Sequence, residues 1–434
     1  MQEPPKAGPD ALVRSRNGQI RGSLLSWRTL AWLCALTLFA PVVCVLWEAI
    51  VPGHGSDAGS WDHVRANLLW PAMRDTAILV AGVCLFSVLL GVPAAWCIST
   101  LQFRGRGLLS VLLVLPLAVP PYVAAFASTE AREAFIPTLV QIRLEMGVDA
   151  YLKFELIHRF AWLILIFSAV LYPYVFLACR SAFSGSSRRL AEASRALGAG
   201  GWATFRKINL PLARPALVAG LFLVAMEVIN DYGAVHHLGI NTMTVTIFRT
   251  WFSLGELETA RRLAGWMLLG IFTLVLLEQW QRGRRGFLSG QEGIPPRPKC
   301  GVVGSLICWL VCMIPVALGL LVPLFILVQW WRASTRPDAA PEIFAAARNS
   351  LFLGVGVTLA CLLLGLVIAG VARFTKRRSD RLMAQGSGIA GYASPGAVMA
   401  AGVFALAAAL RAWFPPESWL GARLLSDSLL WLGF

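Results

Sequence analysis

The chain has 434 residues, of which 57% are hydrophobic and only 14% are charged, and it contains 17 tryptophans. This composition excludes an ordinary soluble domain, and it indicates an integral membrane protein. The formal net charge of +15 then reflects the surplus of Lys and Arg on the cytoplasmic side of membrane proteins, so it predicts no nucleic-acid partner.

Apolar runs recur along the chain, each long enough to cross a hydrocarbon core of about 30 Å as a helix. The runs are continuously apolar and lack the alternation of an outer-membrane barrel. The sequence therefore predicts an all-α, polytopic membrane protein with about nine transmembrane helices. The predicted spans are residues 29–47, 76–98, 107–129, 160–179, 215–235, 263–280, 303–330, 350–372 and 383–410.

Charge distribution orients these spans. With a cytoplasmic N-terminus, the inner segments hold 24 of the 38 Lys and Arg residues, and the outer segments hold 14. The positive-inside rule therefore predicts a cytoplasmic N-terminus, with the segments near 140–155 and 335–345 outside. Seven of the nine cysteines fall inside predicted spans, so they are interpreted as structural residues rather than as a disulfide framework or a metal site.

The third predicted span contains "LPLAVPPYVA" at residues 115–124. Its prolines allow two interpretations. Pro120 and Pro121 mark either a broken helix at the translocation gate or a simple kink that packs against neighbouring helices.

A polar stretch, "EASRALGAGGWATFRKINLP" (192–211), separates the fourth and fifth spans on the predicted cytoplasmic side. The segment "SSRRLAEASRAL" (186–197) favours a short helix. The glycines from Gly198 onward end it, because glycine adopts the left-handed conformation of a tight helix exit. A second short helix should follow and end at Pro211 and Pro215. A helix-turn-helix presented to the cytoplasm by a transporter predicts a docking element.

The spacing of this stretch resembles the EAA motif of permease subunits in ATP-binding cassette (ABC) importers. The motif has the form EAA, three residues, Gly, nine residues, I-x-L-P, and this chain departs from it only at Ser194. The resemblance implies that residues 187–212 form the coupling loop that seats in a cleft of the ATPase subunit. The residues it assigns to coupling are Glu192, Ala193, Ser194, Gly198, Ile208, Leu210 and Pro211.

Two acidic residues, Glu227 and Asp231, lie four positions apart in the predicted fifth span. Their carboxylates project from one face of a helix, and acids inside a membrane indicate either a translocation path or a pairing partner. The alternative is that both lie near the outer end of the span and bond to neighbouring helices. His236 and His237 follow, but adjacent residues point to different faces of a helix, so no metal site is predicted.

The segments "MEVINDYGAVHHLG" (226–239) and "TVTIFRTWFSLGELETARRLA" (244–264) are similar to the permeases of ferric-iron importers. In that group one polypeptide usually carries two six-span halves. The resemblance favours ferric iron as the solute. Permeases for thiamine, phosphonate, sulfate and polyamines are built alike, so these solutes remain alternatives.

An internal repeat supports two homologous halves, since residues 74–96 align without a gap with residues 348–370 at an offset of 274 residues. The predicted domains are a cytoplasmic tail (1–28), a first permease domain (29–281), a cytoplasmic linker (282–302) and an incomplete second domain (303–434). The offset places a second coupling motif beyond residue 434. The remaining spans are expected from a longer reading frame or from a second chain.

None of the five lysines follows a glycine, so the chain contains no Walker A loop, and HExxH and GxSxG are also missing. The chain is therefore predicted to be a transport subunit without enzymatic activity or cofactor, in the bacterial inner membrane. Its implied partners are a cytoplasmic ATPase dimer and a periplasmic or lipid-anchored solute-binding protein. A secondary transporter or channel is the alternative class, but that class gives no reason for the EAA spacing.

Overall fold

The computed structural model describes residues 9–50, 58–184, 190, 193–194, 196–282, 297–333, 340–374, 377–393, 395–396, 398–400 and 402–403. Its α-helices are α1 (Pro9–Ile50), α2 (Ala58–Val64), α3 (Trp70–Thr100), α4 (Arg106–Leu112), α5 (Pro121–Ala127), α6 (Thr129–Glu133), α7 (Ile136–Met146), α8 (Val148–Ser184), α9 (Gly201–Thr204), α10 (Leu210–Asn230), α11 (Gly233–His237), α12 (Met243–Phe248), α13 (Leu257–Arg282), α14 (Val302–Val316), α15 (Val322–Ala333), α16 (Ala340–Phe374) and α17 (Arg378–Ala393). A 3-10 turn covers Leu115–Ala118, and π-helical segments cover Arg65–Leu69, Phe205–Asn209, Arg249–Ser253 and Ala317–Leu321.

The predicted all-α class is confirmed. Seven helices in the described part of the chain are long and apolar enough to cross a membrane, and they correspond to seven of the nine predicted spans. These seven are Trp27–Trp47, Trp61–Thr100, Val148–Ser184, Gly201–Asn230, Leu257–Gln281, Val302–Ala333 and Pro341–Arg373. Much of the ninth predicted span, 383–410, lies outside the described residues.

The third predicted span is a broken helix. Its two arms, Arg106–Ala118 and Pro121–Ala127, meet at an angle of 87°. A residue that precedes a proline is driven out of the helical conformation, and two such residues follow each other here. Val119 (φ −93°, ψ 112°) and Pro120 (φ −59°, ψ 137°) are both extended. The structure therefore favours the break over the simple kink, while a gating role for Pro120 and Pro121 stays a prediction.

One sequence prediction is wrong: Pro211 and Pro215 do not end a short helix. Helical backbone continues from Gly201 to Asn230 as one span. Just before Pro211, the Leu210 N–H bonds to the Phe205 carbonyl, five residues back, in a π-helical turn. The wider turn accommodates a proline ring that would clash with the preceding turn of an α-helix. The segments Arg65–Leu69 and Ala317–Leu321 precede Pro71 and Pro323 in the same way.

The chain divides into two compact units. The small unit contains Met1–Val51 and Thr335–Phe434. Within it, α1 packs on α16 and α17 around Ala31, Ala35 and Met383. The buried Asp380 carboxylate accepts hydrogen bonds from Arg28 Nε at 2.9 Å and from Trp32 Nε1 at 3.1 Å, which ties α1 to α17.

The large unit contains Pro52–Ser334. Helices α3, α8 and α10 form its centre, with large side chains such as Phe167 and Tyr172 fully buried. Helix α14 also joins this core, where Cys308 and Cys312 are buried in the same cluster as Cys97 on α3. The first predicted span thus packs with helices of the second predicted domain. Conversely, the first span of the second predicted domain packs with helices of the first predicted domain. The domain boundaries themselves stay a prediction.

The end of the predicted linker docks on the turn that follows α3. Gln102 donates from its N–H to the Pro298 carbonyl at 3.0 Å, and the Cys300 N–H donates to the Gln102 carbonyl at 3.0 Å. Close by, Trp309 Nε1 donates to the Arg104 carbonyl at 2.9 Å. Gly105 has φ +80°, and a Cβ added there would lie 2.4 Å from the Trp309 ring. Only glycine therefore fits this turn without strain.

Candidate functional site

The candidate site is the loop of residues 187–212, where a helical turn ends at Gly198. The Leu197 N–H bonds to the Ala193 carbonyl at 3.1 Å, and the Ala199 N–H bonds to the Ser194 carbonyl, five residues back, at 3.0 Å. Gly198 has φ +87°. This is the Schellman arrangement that satisfies the last carbonyls of a helix, so the predicted left-handed glycine exit is confirmed. Glu192 lies outside the described residues.

After this exit the chain enters α9. Gly200 is extended (φ −65°, ψ 157°), and its carbonyl accepts hydrogen bonds from both the N–H and the hydroxyl of Thr204. The apolar side chains before and inside α9 are turned outward, with Leu197 89% exposed and Trp202 72% exposed. Arg206 and Lys207 are exposed beside them. We call Leu197, Trp202, Arg206 and Lys207 the coupling surface.

Phe205 anchors this surface to the transmembrane core. Its ring lies 5.5 Å from Trp96 on α3 and 6.3 Å from Phe183 on α8, both edge-on. On its other side it stacks with Trp202, with centroids 5.5 Å apart. Phe205 therefore connects the exposed tryptophan to two transmembrane helices.

The predicted coupling residues separate into two groups. Ala193, Gly198 and Pro211 are exposed, whereas Ser194, Ile208 and Leu210 are half-buried, and Leu210 packs against the main core. The motif did not predict the aromatic residues in its nine-residue spacer. The sequence did contain one indication of such an anchor, because two aromatic residues, Trp202 and Phe205, lie inside an otherwise polar loop.

One long helix connects this loop to the opposite end of the bundle. The 30 residues from Gly201 to Asn230 span about 45 Å at 1.5 Å per residue. The chain after Asn230 therefore lies at the other membrane boundary. Both acidic residues predicted for the fifth span belong to this far end.

Both carboxylates have partners. Glu227 accepts a hydrogen bond from the Tyr174 hydroxyl at 3.1 Å. The helix ends at Asn230, so Asp231 lies beyond it rather than inside a span as predicted. Asp231 Oδ1 accepts from the backbone N–H groups of Ala234 at 2.8 Å and Val235 at 3.4 Å, and it thereby caps α11.

The pKa of the Asp231 carboxyl is raised above its ordinary value. Burial is the largest cause, and the nearby Glu227 charge adds to it, while the two backbone N–H groups act in the opposite direction. This geometry favours the interpretation that the acids are held by neighbours at the end of the span. Their role in a translocation path stays a prediction.

The two adjacent histidines face different neighbours. His237 shares a hydrogen bond with the Thr129 hydroxyl at 2.9 Å, whereas the His236 ring stacks on Tyr232 with centroids 5.0 Å apart. Among the described residues, no group of three or more His, Cys, Asp or Glu side chains is arranged to hold a metal ion.

Comparison with known proteins places these features in a family. The family model of the "binding-protein-dependent transport system inner membrane component" matches residues 87–277, which include the candidate loop. The molybdenum transport system permease protein ModB of Escherichia coli K12 is 30% identical over 169 residues, covering 38% of this chain and 69% of that protein.

Two further relatives carry other solutes by name. The sulfate transport system permease protein CysT of Escherichia coli K12 is 26% identical over 218 residues, covering 49% of this chain and 74% of that protein. The Fe(3+)-transport system permease protein FbpB 2 of Haemophilus influenzae is 24% identical over 303 residues, covering 67% of this chain and 55% of that protein. With its apolar helices and its loop, the chain belongs to the family of inner membrane components of binding-protein-dependent transport systems.

Proposed function

We propose that this chain is the membrane-spanning permease subunit of an ABC importer. An extracytoplasmic binding protein would deliver the solute, and a separate cytoplasmic ATPase dimer would drive its passage. In this proposal the chain has no catalytic residue. It converts movement of the ATPase into movement of its transmembrane helices.

The geometry of the coupling surface carries this proposal. A soluble partner can bury Leu197 and Trp202, which are among the most exposed apolar side chains of the described chain. Arg206 and Lys207 would add attraction to acidic groups on that partner. Since Trp202 stacks on Phe205, and Phe205 packs on α3 and α8, displacement of the bound surface would be transmitted to both helices.

We propose that the chain contains two related halves. The exchange of first spans supports this, because residues 27–47 pack with the second predicted domain and the segment 274 residues later, 301–321, packs with the first. The match to the Fe(3+) permease supports it as well, since its 303 residues extend beyond a single permease half.

Two solute classes have support. The sequence resemblance and the Fe(3+)-transport relative favour ferric iron. The molybdenum and sulfate relatives favour a small oxyanion. The solute retained by the cognate binding protein would distinguish these classes.

The coupling proposal is tested by measuring whether the ATPase still associates with a permease variant that carries a negative charge on the coupling surface. Leu197→Glu places a carboxylate on the coupling surface, and the side chain is so exposed that the permease fold should not change. Leu144→Glu is the matched control, because Leu144 is 79% exposed on α7. Leu197→Glu should lose co-purification with the ATPase and solute-stimulated ATP hydrolysis, while Leu144→Glu keeps both. Normal association of Leu197→Glu would show that another surface docks the ATPase.

A further inference from the structure

At the end of the bundle opposite the coupling surface, a cavity of about 330 Å³ lies beside α11, α12 and the π-helical segment Arg249–Ser253. Its polar lining consists of Tyr232, His236, Asn241, Arg249 and Ser253. Among the described residues that line it there is no Asp, Glu or Cys. The cavity therefore offers a cationic group and several hydrogen-bond donors, without a carboxylate to balance them.

Among the described residues, no side chain or carbonyl is a partner for the charge of Arg249. Arg28, Arg159 and Arg262 each form an ion pair with a carboxylate. Within the part of the chain that the structure describes, the Arg249 guanidinium forms neither an ion pair nor a hydrogen bond. A guanidinium presents a planar fork of N–H donors that matches the oxygens of an oxyanion.

Aromatic contacts hold the lining in place. The Tyr232 ring stacks on the His236 ring and also packs on Phe248, and the Tyr232 and Phe248 ring centroids are 4.6 Å apart. Phe248 in turn stacks on Phe252 at 5.9 Å. These rings restrict the movement of the polar side chains, so less conformational freedom is lost when a ligand binds. They also form an apolar wall, next to which an ionic interaction is stronger than in bulk water.

Two carboxylates follow Arg249 closely along the chain, Glu256 and Glu258; neither lines the cavity, and Glu258 pairs with Arg262. Two others, Asp231 and Glu227, precede the cavity residues and are engaged elsewhere. Asp231 Oδ1 accepts the N–H groups that begin α11, and Glu227 accepts from the Tyr174 hydroxyl. Neither residue lines the cavity. The positive potential at Arg249 is thus available to a ligand.

We propose that this cavity binds a small oxyanion, held by the Arg249 fork with donors from Tyr232, Asn241 and Ser253. The inference rests on the proposed importer function and names its solute class. A ferric ion requires anionic oxygen ligands, which this lining lacks, and Arg249 would repel it. The cavity volume of about 330 Å³ has room for an oxyanion together with several waters, which occupy about 30 Å³ each in the liquid.

Equilibrium binding of radiolabelled sulfate and molybdate to the full chain tests this site. The chain is placed in nanodiscs of phosphatidylcholine alone, so that no anionic lipid competes. Arg249→Gln removes the charge, and Arg249→Lys keeps the charge but removes the fork. Arg65→Gln is the matched control, because Arg65 is exposed at the same end of the bundle, begins another π-helical segment and does not line the cavity.

We expect saturable binding of at least one of the two anions by the wild type and by Arg65→Gln. Arg249→Gln should weaken it at least about tenfold, since hydrogen bonds to charged groups are the strongest polar contacts. Arg249→Lys should fall between them. Equal binding by Arg249→Gln and the wild type, or no saturable binding of either anion, would overturn the proposal.

A second arm distinguishes a transported anion from a lipid headgroup. The same chains are purified with phosphatidylglycerol present, and retained lipid is measured. Retention that depends on Arg249, without binding of sulfate or molybdate, would assign the cavity to lipid and overturn its role in solute binding. ATPase association of Arg249→Gln is measured in parallel and should remain normal, so loss of anion binding is separable from failure of the coupling proposal.

Discussion

Gly198 should control the affinity of the permease for its ATPase through backbone conformation alone. Its φ is +87°, and a Cβ built on it meets no heavy atom within 4 Å. Substitution therefore causes no collision with the described part of the permease. Its cost comes only from placing an L-residue in the left-handed region, about 1–2 kcal/mol for alanine. Asparagine tolerates this conformation better than alanine does.

If only the turn with the intact exit docks, this strain reduces the docking-competent population. A change of 1–2 kcal/mol corresponds to about 5- to 30-fold, and the apparent Kd for the ATPase rises by up to the same factor. We therefore expect Gly198→Ala to weaken binding by that amount and Gly198→Asn to weaken it less. Gly198→Trp adds bulk at the docking surface, so it should also abolish coupled transport while the protein remains in the membrane.

Gly200→Ala is the matched control. Gly200 lies two residues away and has φ −65°, which alanine adopts without strain, and a Cβ there meets no described atom within 4 Å. This variant should bind the ATPase as well as the wild type, because alanine keeps the native conformation of the folded loop. The assay is equilibrium binding of the purified ATPase to permease nanodiscs. Equal losses for Gly198→Ala and Gly200→Ala, or a larger loss for Gly198→Asn than for Gly198→Ala, would refute the conformational argument.

Three further predictions concern topology, a packed turn and a buried acid. On a cysteine-free background, an impermeant thiol reagent should label a cysteine placed at position 145 in intact cells and not one at position 200; the reverse would invert the predicted orientation. Gly105→Ala should lower the free energy of unfolding in mixed micelles by about 2–3 kcal/mol through left-handed strain and the collision with Trp309. Gly107→Ala, whose Cβ meets no described atom within 4 Å, should raise it by up to about 1 kcal/mol; equal effects of the two variants would contradict the requirement for glycine at position 105. Burial raises the folded-state pKa of Asp231 above its ordinary value of 3.8, so the wild type should lose stability as pH rises from that value through the raised pKa. Asp231→Asn should remove this pH dependence of stability while keeping the cap; an unchanged pH dependence would show that another group titrates.

Sequence alone predicted the features that depend on neighbouring residues. The apolar runs predicted seven of the spans, because membrane thickness requires a minimum apolar length. The helix exit at Gly198 also followed from local sterics, since a glycine tolerates positive φ. At Pro120 and Pro121 the sequence left a broken helix and a simple kink both open, and the structure decided for the break. The wrong expectation at Pro211 shows the limit of such rules, because a π-helical turn accommodated the ring and the helix continued.

Only the tertiary structure decided which distant residues meet. The packing of α1 with α16 and α17, and of α14 with α3, is a choice among apolar helix faces that look alike in sequence. Phe205 lies in the spacer of the motif, and nothing in the sequence predicts its contacts with Trp96 and Phe183, which only the structure shows. Tyr232, His236 and Arg249 likewise form one cavity only after the chain turns between α11 and α12. Local conformation follows from adjacent residues, whereas a site depends on side-chain contacts that form when the whole bundle packs.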